Sequence, residues 1–247
     1  MASNTRTLAQ SVEWASFFLS RRPFYGLDSN STLEPALTTG NVIIQTMLQP
    51  PFKWRWNRNS TTFNITTAGG DVVKSIPDFG FVEKYQIVPS AGPNSGKVYE
   101  VPYSQLLLSQ DSDQGKISTI AAYLDDNAGN ITFRTMPGKA DVNSTVTVIY
   151  QKAPVLLTAV TGTGGTWPIP DSYGHVYDNG VLFYFLLYAG DSRAFAIGQK
   201  FASNLIALSE GLDEQAKAIF LGEWDVILQQ AARGQSKMQL AQDGRTR

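Results

Sequence analysis

Cysteine is missing altogether from the 247 residues, which excludes disulfides, thiolate metal sites and cysteine nucleophiles together. Histidine is nearly missing: His175 stands alone, so a histidine metal cage is impossible and a Ser-His-Asp triad has one candidate base. Charge is scarce as well. Asp, Glu, Lys and Arg make up 17% of the chain and nearly cancel to a net of −1, so no global field draws it to nucleic acid or anionic lipid. Long apolar runs are lacking, since Val181 to Ala189, the longest, is far too short to span a bilayer. The opening "MASNTRTLAQ" has no apolar stretch of the signal-peptide kind. The N-x-S/T triplets at Asn30, Asn59, Asn64, Asn130 and Asn143 therefore read as strand and turn composition. A soluble chain made in a cytoplasm, with no membrane partner, is the expectation.

What is present is a 43% hydrophobic content, enough for a real core. Leu8, Val12, Ala15 and Leu19 recur at helical spacing within residues 7–22, with Trp14 and Phe18 beside them, until Pro23 and Gly26. A second helix is predicted after the cap "STLEP", with Ser31 or Thr32 accepting backbone N–H groups and Pro35 in the first turn. Its stripe is Ala36, Gly40, Ile43, Ile44, Met47 and Leu48, stopped by Pro50-Pro51. Next, Phe52, Trp54 and Trp56 alternate with Lys53, Arg55 and Asn57. Period two predicts a strand with three aromatics facing a core. A nucleic-acid platform would leave such rings exposed for base stacking, so the core reading is preferred.

Between Thr61 and Pro154 helical stripes vanish. "TFNITT", "GFVEKYQIV", "KVYEVPYSQLLL", "KISTIAAYL", "NITFRTM" and "TVTVIYQKA" alternate between turn signals, and "LDDNAGNITF" reads as a hairpin. Six or seven strands at this spacing predict an antiparallel sandwich or small barrel. Helical character then returns. Residues 176–189 are apolar nearly all round, which predicts burial on several sides. Ala194, Ile197, Phe201, Leu205 and Leu208 form the next stripe; Leu212, Ala216, Ile219, Phe220, Trp224, Ile227 and Leu228 form another, with Gly211 as a break between them. The predicted class is α+β. Residues 1–58 and 158–233 build a helical domain in two parts, 59–157 form an inserted β-sandwich or barrel-like domain, and 234–247 are a flexible tail.

The chemical motifs fail one by one. Asp171, Ser172 and His175 lie close in sequence, but no G-x-S-x-G elbow accompanies them. "GPNSGKV" is one residue short of a phosphate loop and has Val98 where Ser or Thr should bind magnesium. "GTGGTW" runs into Trp167, Pro168 and Pro170 instead of opening a helix. "DDNAGN" lacks the glutamate that closes a calcium loop. No catalytic residue, cofactor or metal site is expected, and the chain reads as an assembly part and not an enzyme.

The element order resembles the head-to-tail adaptors of tailed bacteriophages, the group that includes the tail tubular protein A of short-tailed phages. The resemblance rests on "TMLQPP" ending a helix, "WRWN", "ITFRTMPGKADVNSTVTVIYQKAP" closing a β insertion, "IPDSYGHVYDNGVLFYFLLYAGD" and "FAIGQKFASNLIAL". It covers nearly the whole chain as order and flavour of elements. The resemblance implies a virion protein of the neck or tail, made in the host cytoplasm and assembled as a homo-oligomeric ring of roughly a dozen copies. Its implied partners are a portal protein, a downstream tail or nozzle protein, and genomic DNA passing through the lumen without sequence-specific binding. It implies that the all-round apolar helix serves subunit contacts, with Phe183, Phe185 and Tyr188 at the interface. The tail residues Lys237, Met238, Leu240, Arg245 and Arg247 would dock on the portal, ordering as they do so. The alternatives are another phage tail component (tube, terminator or baseplate protein), a β-sandwich carbohydrate-binding module with exposed Trp and Tyr as sugar platforms, and an enzyme with an unusual carboxylate site.

Overall fold

A computed structural model describes residues 6–18, 36–65, 70–91, 96, 99–102, 120–125, 130–135, 143–158 and 168–243. The chain mixes helices with antiparallel sheet, an α+β protein. It divides into two compact units, Met1–Trp56 with Pro154–Arg247, and Asn57–Ala153. The sequence reading set those borders at 59 and 157.

Among the described residues the first unit holds five helices: α1 (Leu8–Phe18), α2 (Ala36–Leu48), α3 (Gly174–Tyr188), α4 (Ala194–Leu208) and α5 (Glu214–Asp243). The α2 stripe is buried at all six expected positions. In α1, Leu8, Val12 and Ala15 are buried, while Leu19 and the cap residues Ser31, Thr32 and Pro35 lie outside the described residues. Helix α3 is buried on every side, as its composition predicts. Gly211 breaks α4 from α5 with φ +61°, a left-handed backbone that glycine takes without a side-chain clash. Asp213 then caps α5, its Oδ1 accepting from the Ala216 N–H at 2.6 Å.

Two segments depart from expectation. Phe52, Trp54 and Trp56 do not form a strand: residues 52–54 are irregular and Arg55–Asn57 is a 3₁₀ turn. The core reading of the rings stands, with Phe52 and Trp54 buried and Trp56 packed against them. Trp54 Nε1–H donates to the Met47 carbonyl, so the indole is tied to the last turn of α2 and not to a neighbouring strand. Burial alternates only as far as Arg55, without a ladder; beyond it the 3₁₀ turn leaves Trp56 half-buried and buries Asn57 instead. The second departure is α5, whose backbone stays helical through Asp243, where the sequence reading begins a flexible tail at 234. Gln, Lys, Met, Leu and Ala are good helix formers, and no proline intervenes. A helix needs no apolar stripe to continue from one already anchored.

Among the described residues the second unit holds seven strands: β1 (Arg58–Ile65), β2 (Gly70–Ser75), β3 (Phe79–Pro89), β4 (Tyr99–Pro102), β5 (Ile120–Asp125), β6 (Asn130–Thr135) and β7 (Ser144–Lys152). They pair antiparallel in two sheets, ordered β1-β7-β3-β4 and β2-β6-β5. Strand β5 pairs with β6 from Asp125↔Asn130 outward, the expected hairpin. Strand β2 was not among the expected ones. In the larger sheet Phe63, Val146 and Ile87 lie across three strands in register, with Val148 beside Tyr85. Those side chains and Tyr150 are buried together, so cross-strand contacts fix the register of this face.

Candidate functional site

The first unit carries an apolar cleft of about 470 Å³. The last turn of α2 and Pro50-Pro51 form one wall, and Ile219, Phe220 and Trp224 of α5 form the other. Phe52 and Phe220 meet edge to face at 4.8 Å, which closes the walls beneath it. Tyr184 lines it from α3, its phenol held above its ordinary value by burial first and by the charge of Tyr188 second. The cleft offers hydrophobic contact with little to orient a charge, since Glu223 alone is ionic among its described lining residues.

A second polar feature sits at the start of α3. Arg6 pairs with Asp178, and its guanidinium lies over Gly174, where any side chain would strike it. The Ser11 hydroxyl approaches the carboxylate without completing a hydrogen bond of normal geometry. Burial raises the Asp178 carboxyl above its ordinary value, although Ser11, Arg6 and His175 all favour the charged form. Nearby, His175 Nδ1 faces the Ser172 carbonyl at 3.2 Å. The imidazole thus addresses the backbone of the turn, not the Ser172 hydroxyl. Among the described residues no group of three His, Asp or Glu is placed to hold a metal ion, and no helix is long and apolar enough to cross a membrane.

The expected interface residues divide. Phe183 and Phe185 are buried inside their own unit, which corrects their assignment as subunit contacts; Tyr188, 58% exposed, remains available. The all-round apolar helix is covered by α1, α2 and α4 of the same chain, so no second copy is needed to bury it. Of the docking residues, Lys237, Met238 and Leu240 fall on the helical backbone of α5, while Arg245 and Arg247 lie outside the described residues, as do "GTGGTW" and most of "GPNSGKV" and "DDNAGN". The basic residues of the aromatic stretch are partly committed. Arg58 grips Glu83 through two bonds of 2.8 and 2.6 Å, and Arg55 approaches Glu210 at 3.9 Å. Trp54 and Trp224 are buried and Trp14 and Trp56 half-buried, so these four do not offer the flat exposed rings of a sugar platform. The cleft escaped the sequence reading because its walls are brought together from α2, a proline turn and a helix nearly 170 residues later. Compared with models of known protein families and with the sequences of curated proteins, the chain has no significant match.

Proposed function

We propose that this chain is a structural ring subunit of a tailed-phage neck, a head-to-tail adaptor. In this role it docks under the portal, extends the DNA channel and provides the attachment surface for the tail. The observation that carries the reading is a helical unit drawn from both ends of the chain with residues 57–153 inserted as a β unit. That is the element order on which the resemblance rests. The two antiparallel sheets suit a sandwich-like insertion, with Phe63, Tyr85, Val146 and Tyr150 on its inner face. A net charge of −1 supports passage of DNA without retention, because a strongly basic lumen would hold the phosphates. The helical form of residues 234–243 suits docking on a portal, since a segment already folded loses less freedom on binding than a loose one. In this reading the protein is non-enzymatic and resides in the virion, in roughly a dozen copies under cyclic symmetry.

Electron microscopy tests the proposal directly. Rings in the purified protein, or density for the chain between portal and tail in the particle, are the expected result. Location elsewhere in the tail would replace the neck role by that of a tube, terminator or baseplate protein. A monomer found in no particle would sink both.

A further inference from the structure

Phe17 is 83% exposed, an unusual position for so large an apolar ring. Taking about 100° per residue, it lies on the side of α1 opposite the buried stripe of Leu8, Val12 and Ala15. Its own helix therefore cannot bury it. The neighbouring Phe18 stands edge to face with Trp14 at 4.6 Å, which steadies the base from which Phe17 projects. Arg193, at the start of α4, reaches the Phe18 carbonyl at 3.4 Å and anchors the end of the helix. Phe17 is a held knob.

The same unit carries a hole. The cleft between α2 and α5 is apolar, about 470 Å³, and within the size range of roughly 300–1,000 Å³ typical of ligand pockets. Its lip includes Ile219, 55% exposed, and its wall Phe220 and Trp224. Helix α1 contributes no residue to it, so knob and hole belong to different surfaces of one unit. Contacts between two different surfaces of identical subunits are head-to-tail. They close into a ring where the rotation permits and run on as a filament where it does not. The nearly uncharged lining gives a charged partner little to bind, whereas it matches an aromatic side chain.

We infer that Phe17 of one copy seats in the α2–α5 cleft of the next copy, against Ile219 and Trp224. The inference rests on the ring reading and deepens it by assigning the two halves of the subunit contact. Because the chain has no cysteine, introduced thiols report the contact without background. Glu13 lies one turn before Phe17 and Glu223 one turn after Ile219, and both are exposed. Glu13→Cys and Glu223→Cys proteins are mixed in equal amounts and treated with a mild oxidant. The expected product is the 13–223 heterodimer, formed well above either homodimer. Adding Phe17→Ser to the Glu13→Cys protein should cut its yield roughly tenfold or more, as for loss of an anchoring aromatic. Pairing Glu13→Cys with the exposed Gln199→Cys supplies the collision rate. A 13–223 yield no greater than 13–199, or one indifferent to Phe17→Ser, overturns the inference. Rings seen by microscopy without the 13–223 link would leave the ring reading standing and remove this contact. A monomeric chain without the link would remove both.

Discussion

Gly198→Ala tests how the helices of the first unit meet. Gly198 lies within α4, where alanine by itself would favour the helix by about 0.5–1 kcal/mol. The added Cβ, however, would come within 2.6 Å of Leu228 Cδ2 and 2.8 Å of both Cδ2 and Cε2 of Phe183. A leucine methyl can swing aside. The Phe183 ring cannot, because it is fully buried and packed on Tyr184 and Trp224 with centroids 4.9 and 5.3 Å away. Retreat of α4 would also stretch the bond from Trp224 Nε1–H to the Gly198 carbonyl, now 3.0 Å. Overpacking of this kind costs about 1–3 kcal/mol. Less the helix gain, the net loss is about 1 kcal/mol at the middle of these ranges, or roughly 2–4 °C in melting temperature. All five tryptophans belong to this unit, so tryptophan fluorescence follows its melting apart from the β unit. Gly222→Ala on α5 is the control, since nothing lies within 4 Å of a Cβ there and the variant should gain about 0.5–1 kcal/mol. A Gly198→Ala protein that melts at or above wild type, while Gly222→Ala behaves as a gain, would refute the packing.

Arg6→Ala should cost about 1–3 kcal/mol at neutral pH by leaving Asp178 buried and charged, whereas Asp178→Asn should cost less because the Arg6 side chain, 25% exposed, can turn to water. The Asp178 carboxyl is raised, so stability is lost as pH rises through its titration; the Arg6→Ala deficit should shrink as pH falls, and denaturant midpoints at two pH values decide it. Trp54→Phe should cost about 2 kcal/mol or more through its lost bond to Met47, but Trp56→Phe about 1 kcal/mol or less, since Trp56 Nε1 is buried without a partner; equal losses by denaturation would reject the difference. The Tyr150 phenol, pushed up to about 12 by burial and by its bond to Asp78, stabilises the fold below pH 10 and loses that effect as pH rises toward 12; a tyrosinate titration of Tyr150→Phe should lose one late step near pH 12 and keep that of the more deeply buried Tyr177. Deleting residues 234–247 should leave the melting of the rest unchanged yet lower attachment to phage heads, and full attachment would discard the docking role of that segment.

Helices with one buried face were legible because periodicity and burial coincide, as in Ala36, Gly40, Ile43, Ile44, Met47 and Leu48. The aromatic segment was only half legible. Alternation reports which rings are buried, but a ladder also needs a partner strand, and residues 52–54 have none. Strand β2 was missed because "GDVVKS" is short and begins inside a glycine-rich turn signal. The final turns of α5 were missed for the opposite reason: the sequence there is polar, and helix can extend where propensity allows without an apolar face. Neither the cleft nor the Arg6–Asp178 pair was legible, since each joins residues from distant parts of the chain.

Phe183 and Phe185 show where sequence reasoning about assembly runs out. A helix apolar on all faces has the same composition whether its neighbours come from its own chain or from another copy. Here α1, α2 and α4 supply them, and Gly40, Gly180 and Gly198 let the packed side chains approach closer than a Cβ would allow. The surface available to another copy must then be made from what the core leaves out, and Phe17, Tyr188 and Ile219 are such residues. That division makes folding and assembly separable. Substituting Phe183 with Ala removes a core ring, at about 3–5 kcal/mol, and should abolish melting stability and association together. Substituting Phe17 with Ser removes no intrachain burial of consequence, so its melting temperature should match wild type while association is lost. If both variants lose stability alike, Phe17 belongs to the core after all and the interface lies elsewhere.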